Sequence, residues 1–115
     1  MIAAPPPSRD DRSPFRVDVH PEREVVRVAP AGELDLATAA ELQEQLRQLR
    51  ESGFERVVLD LRKLRFMDSA GVKLLLAEDR AARADGQHFS LISGPPPIQR
   101  ILEITGVDRY LRFDV

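Results

Sequence analysis

The residues best able to do chemistry lie at positions 66–71, which read FMDSAG. Asp68 sets a carboxylate beside the hydroxyl of Ser69, and Ala70 and Gly71 leave that hydroxyl uncrowded. An apolar run, VKLLLA at 72–77, follows at once and predicts a helix. A serine here can cap that helix, act as a nucleophile, or accept a phosphate. An Asp or Ser ahead of an apolar helix is most often an N-cap, worth about 0.5–2 kcal/mol. Capping and modification are compatible, because the free amides and positive dipole end of a helix N-terminus accommodate a phosphate.

A nucleophilic serine needs a base, usually histidine. The chain has His20 and His88. His20 falls in an expected turn. His88 opens an expected strand, which puts it about five residues of ~3.3 Å each from the edge that carries Ser69. The sequence contains neither a G-x-S-x-G elbow nor a phosphate-binding G-x-x-x-x-G-K-[ST] loop. Its carboxylates form no metal-ligand motif, so we expect no catalytic residue, metal or cofactor. Asp60, in VVLDLR (57–62), is a second possible acceptor, since that strand resembles the phospho-acceptor strand of a receiver domain. The alternative is a strand-end carboxylate that satisfies loop amides. A receiver also needs an early acidic pair for Mg²⁺ and a late lysine. Here the early strand ends VAPAGELD (28–35), and prolines but no lysine follow SLIS (90–93).

The whole chain bounds the choices further. Its 115 residues suit one domain, and 43% hydrophobic residues supply one modest core. A net charge of -2 gives no pull toward nucleic acid or anionic lipid. Without cysteine there is no disulfide framework. No apolar run approaches the ~20 residues of a membrane span. The segment MIAAPPPSRDDRSP (1–14) lacks an apolar signal-peptide core and reads as a flexible tail ahead of a domain over 15–115. A cytoplasmic protein, monomeric when free, is expected.

Elements that would position Ser69 can be read from periodicity. FRVDVHPEREVVRVAP (15–30) alternates apolar and polar residues, predicting an antiparallel strand pair with its turn at HPER (20–23). AGELDLATAAELQEQLRQLRESG (31–53) turns helical, with Leu42, Leu46 and Leu49 on one face. Thr38 and Glu41 have capping-box spacing, and Gly53 is the expected left-handed stop. ERVVLDLR (55–62) reads as a central parallel strand. The helix from Ser69 carries an inner stripe of Val72, Leu75, Leu76 and Ala82 and closes at Gly86, while Glu78, Asp79, Arg80 and Arg83 read as a solvated face. HFSLIS (88–93) is a strand and GPPPIQRILEITG (94–106) a short helix, its prolines at the start where no amide partner is needed. RYLRFDV (109–115) closes as an edge strand.

The predicted order is β-β-α-β-α-β-α-β: an α/β fold with a mixed, mainly parallel sheet of about five strands and three helices. The loops leaving the strand C-termini share one edge, where open α/β sheets favour their sites. That edge collects GELD (32–35), MDSAG (67–71) and SGPPP (93–97). Asp35, Asp68, Ser69 and Ser93 are therefore the expected neighbours, and with Glu33, Ala70 and Gly71 they are the expected partner-binding residues.

This ordered set resembles the STAS domain, specifically the anti-sigma factor antagonists. The resemblance is carried by GELD after an early strand, VVLDLRKLRFMDSAG (57–71), GQHFSLIS (86–93) and PPPIQRILEITGVDRYLRF (95–113), covering residues 15 to 115. It implies a protein that binds an anti-sigma factor doubling as a GHKL-type serine kinase and so frees a sigma factor for transcription. Phosphorylation of the serine after the motif aspartate, here Ser69, would undo the complex, and a serine phosphatase would reset it. Asp68 and Asp35 map to the flanking acidic positions. The family commonly has a second hydroxyl residue after the acceptor; this chain has Ala70. GVKLLL (71–76) also departs from the family's smaller residues. A scaffold or sensor STAS domain without phosphate control is the alternative the resemblance leaves open.

Overall fold

The computed structural model describes residues 15–114. The expected tail over 1–14 lies outside the described residues. Strands β1 (Arg16–Glu22) and β2 (Val25–Leu34) pair antiparallel from Arg16↔Ala31 to Glu22↔Val25. The turn sits at Arg23 and Glu24, so only the last residue of the expected HPER turn lies in it, and Arg23 takes a positive φ of 58°. Pro21 is held within β1, where an edge strand tolerates the missing N–H.

Helix α1 (Leu36–Glu51) leads to β3 (Arg56–Asp60) and β4 (Leu64–Met67). Helix α2 (Ser69–Ala84), β5 (His88–Ile92), α3 (Pro96–Thr105), a 3₁₀ turn (Val107–Arg109) and β6 (Phe113–Asp114) complete the chain. The sheet runs β1-β2-β3-β5-β6, with β4 paired to β2 off this path. Every pairing after the opening hairpin is parallel. The helix-covered face is built by alternation: Val26 and Val28, Val57 and Leu59, Phe89 and Leu91 are buried. Leu42 and Leu46 of α1, Val72 and Leu75 of α2, and Ile98 and Leu102 of α3 close over them. Burying each such side chain stabilises by about 1.5–3 kcal/mol. Gly53 and Gly86 end α1 and α2 at φ of 102° and 70°, a region costly for any residue with a Cβ.

Strand β4 was not expected from the sequence. It has four residues, and its buried-exposed-exposed-buried pattern matches neither period. The cause is a β-bulge. Gly32 pairs with Leu64, but Glu33 pairs with Phe66, so Arg65 is the extra residue. Leu64 and Met67 both point into the core, and Arg65 and Phe66 both point out. The ten-residue β2 thus serves two parallel partners, β3 along its first half and β4 along its second.

The charged face expected on the second helix is also corrected. Glu78 and Asp79 are 2% and 6% exposed. Glu78 pairs with Arg50 of α1, and Asp79 accepts from Arg83 Nε at 2.8 Å. Burial is tolerated because each carboxylate has a guanidinium partner. Among the described residues no helix is long and apolar enough to cross a membrane.

Candidate functional site

Parallel pairing of β2 with β4 puts Leu34 opposite Met67. The next residue of each strand is an aspartate, and each aspartate starts a helix. The amide of Asp68 donates to the carbonyl of Leu34 at 3.2 Å, joining the two helix entrances. Asp35 and Asp68 therefore flank one point of the sheet edge, although 33 positions separate them in sequence.

Asp35 is the N-cap of α1. Its Oδ1 accepts from the Thr38 amide at 3.1 Å, and the Thr38 hydroxyl accepts from the Asp35 amide at 2.9 Å. That hydroxyl also donates to the carbonyl of Glu33 at 2.7 Å. The capping box is Asp35 with Thr38, not Thr38 with Glu41. The helix begins earlier than its apolar period suggests, so Thr38 becomes its third residue and is buried, while Glu41 is exposed. Glu33 is half-buried and lies opposite Phe66.

Asp68 caps α2, its Oδ1 accepting from the Ala70 amide at 2.9 Å. Ser69 is the first helical residue and is exposed. Aspartate does the capping, so the serine hydroxyl is not committed to that role. Gly71 does more than leave space. A Cβ there would lie 2.5 Å from Met67 Cγ and 3.0 Å from Leu34 Cδ2, so only glycine lets α2 start this close to the paired strand ends.

Ser93 is exposed but stands on a lower step of the edge. Asp60 pairs with Ile92, and the Leu61 amide donates to Ile92 O at 3.1 Å, which sets Ser93 level with Leu61. Strand β4 carries the chain further before Asp68 is reached. Register joins Asp35, Asp68 and Ser69; it leaves Ser93 beside the β3–β4 turn. The unforeseen part of the site is a groove between α1 and α2, lined by Leu36, Ala39, Ala70, Lys73 and Leu74. Leu36 is 79% exposed on its rim. An apolar residue directly after a capping aspartate was the available signal.

Asp60 is a structural carboxylate. It is 3% exposed and takes Arg62 Nε at 2.9 Å, Arg62 Nη2 at 2.8 Å and Arg27 Nη1 at 3.2 Å. Its Oδ1 also accepts from the Arg62 amide at 3.0 Å. The Arg62 side chain, chiefly, holds its pKa below the usual value, against the opposing effect of burial. The loop-satisfying role thus displaces the receiver-like one. His88 begins β5, at the opposite end of the strands from Ser69, and His20 lies exposed within β1. No group of three or more His, Cys, Asp or Glu among the described residues could hold a metal ion.

The fold and its capped serine can be set beside known proteins. Residues 15–112 match the family model described as Mlab, STAS domain. The chain belongs to the STAS-domain, anti-sigma factor antagonist family. The anti-sigma-B factor antagonist of Staphylococcus aureus is 31% identical over 80 residues, spanning 70% of this chain and 74% of that protein. The anti-sigma F factor antagonist of Paenibacillus polymyxa is 28% identical over 94 residues, spanning 81% and 80%. The Bacillus cell fate determinant SpoIIAA in its phosphorylated form shares the fold, with a TM-score of 0.66 at 22% identity over 88% of this chain and 91% of that chain.

Proposed function

We propose that this STAS domain is an anti-sigma factor antagonist, a cytoplasmic regulatory protein with no catalysis of its own. Its partner is an anti-sigma factor that is also a GHKL-type serine kinase. Unphosphorylated, the domain occupies that partner and frees a sigma factor; phosphorylation at Ser69 ends the complex, and a serine phosphatase restores it. The observation that carries this reading is the exposed Ser69 at the start of α2, with Asp68 taking the cap. Contacts from Glu33, Asp35 and Ala70, with a lesser share for Ser93, complete the partner surface, and Gly71, buried against Met67 and Leu34, serves it by setting the helix start. The groove rim at Leu36 supplies an apolar anchor beside the acceptor.

Electrostatics supports a switch without refolding. Phosphorylation adds about -1.5 to -2 charges. The positive dipole end of α2 favours charge placed there. A partner packed against this edge would bear the desolvation of the new charge. A thousandfold loss of affinity needs only about 4 kcal/mol, within that range. The Staphylococcus and Paenibacillus relatives carry the antagonist function by name, and SpoIIAA, which shares the fold, was solved phosphorylated.

The test is affinity capture from the native cell lysate with wild type and Ser69→Glu as paired baits. A GHKL-type kinase held by wild type and lost by Ser69→Glu is the expected result. Recovery of the same non-kinase proteins by both baits would replace this reading with a scaffold role.

A further inference from the structure

The bulge that hides β4 in the sequence also builds a second feature. A cavity of about 400 Å³ opens where β1 begins, its lining formed by Arg16, Ala31, Gly32, Lys63 and Arg65. We propose that this cleft binds a small multivalent oxyanion of the phosphate or pyrophosphate class, independently of the Ser69 edge.

Three cations reach the cleft from three separate segments. Arg16 opens β1 opposite Ala31, Lys63 lies in the β3–β4 turn, and Arg65 is the extra residue of the bulge. All three are exposed, and among the described residues no acidic one shares the lining. In a chain of net charge -2 this concentration of positive charge runs against the average. Ala31 and Gly32 have almost no side chain, so the space between the cations stays open. The Gly32 amide donates to Lys63 O at 3.2 Å, fixing the lysine's backbone to β2.

The chemistry of the lining favours an oxyanion. Two guanidinium groups offer planar, multiple donors, and the ammonium adds a point charge. Charge-assisted bonds of this kind suit phosphate oxygens. Arg16 also donates to Asp18 at 3.3 Å, but that pair is exposed and hence weak, and a guanidinium retains further donors. The simpler explanation, three solvated surface cations, does not account for their convergence from three segments over a floor of the two smallest residues.

The experiment is titration of the full chain with pyrophosphate at constant ionic strength, followed by amide chemical shifts. Saturable shifts centred on Ala31, Gly32, Lys63 and Arg65 are expected. Lys63→Glu and Arg65→Glu should each weaken binding by about tenfold or more. Arg100→Glu, the same charge change on α3, should leave binding within about twofold. Lys63→Gln guards against misfolding of the charge-reversed chains and should also weaken binding. Shifts that follow ionic strength alone, centre on the Ser69 edge, or weaken equally in Arg100→Glu would overturn the proposal. So would a hexaglutamate peptide that occupies the cleft more tightly than pyrophosphate, which would make it a polypeptide surface.

Discussion

The backbone amide of Asp68 donates to the carbonyl oxygen of Leu34 at 3.2 Å. This one bond ties the entrance of α2 to the strand end that becomes the entrance of α1. The two capping aspartates are consequently held at a common edge, with Ser69 directly after one of them. Ser69, Asp68 and Asp35 form one surface because β4 pairs with the second half of β2.

Ser69→Ala should abolish phosphorylation and preserve both fold and partner binding. Ser69 is exposed and Asp68 supplies the cap, so stability should change by no more than about 0.5 kcal/mol. Kinase assay with mass spectrometry, alongside urea unfolding, checks both halves. A phosphorylated Ser69→Ala protein would move the acceptor elsewhere.

Asp35 has two roles that substitution can separate. Asp35→Ala removes the reciprocal bonds with Thr38 and should cost about 0.5–2 kcal/mol. Asp35→Asn keeps an acceptor at the cap and removes the charge. If Asp35 meets the partner as a carboxylate, Asn should weaken capture of the kinase while the unfolding midpoint barely moves. Equal effects on both measurements would reduce Asp35 to a cap.

Asp60→Asn should destabilise the domain at neutral pH, with loss of about 1–3 kcal/mol from the guanidinium bonds left imperfectly met. The sign with pH follows from the depressed carboxyl pKa. A carboxylate whose pKa is lowered on folding contributes stability above its unfolded value, near 4, and loses it as pH falls through the folded value. The gap between wild type and Asp60→Asn should therefore narrow on acidification below about pH 4. A gap independent of pH from 7 down to 2 would contradict the pairing.

Gly71→Ala sets two effects against each other. Alanine improves helix propensity by about 0.8–1 kcal/mol. The added Cβ, however, would meet Met67 Cγ at 2.5 Å and Leu34 Cδ2 at 3.0 Å. Overpacking of this kind costs about 1–3 kcal/mol and should win, giving a net loss of stability. Because the clash falls under Ser69, phosphorylation should slow as well. A variant more stable than wild type would show that the helix start can shift freely.

Much of this protein was determined locally. The antiparallel opening pair, the three helices, the glycine stops and the proline-led α3 follow from period, turn chemistry and caps, each of which acts within a few residues. Ser69 could be singled out because a hydroxyl at a helix start follows the aspartate of a motif that resembles the anti-sigma factor antagonists. Tertiary structure decided what depends on pairing between distant segments. β4 is invisible to periodicity because its bulge places two successive residues outward. The burial of Glu78 depends on Arg50, 28 positions away on another helix. Thr38 caps with Asp35 rather than Glu41 because the end of β2 fixes where α1 begins. Ser93 stays level with Leu61 while Asp35 and Asp68 meet, because only the register of parallel strands sets how far along the edge each loop emerges.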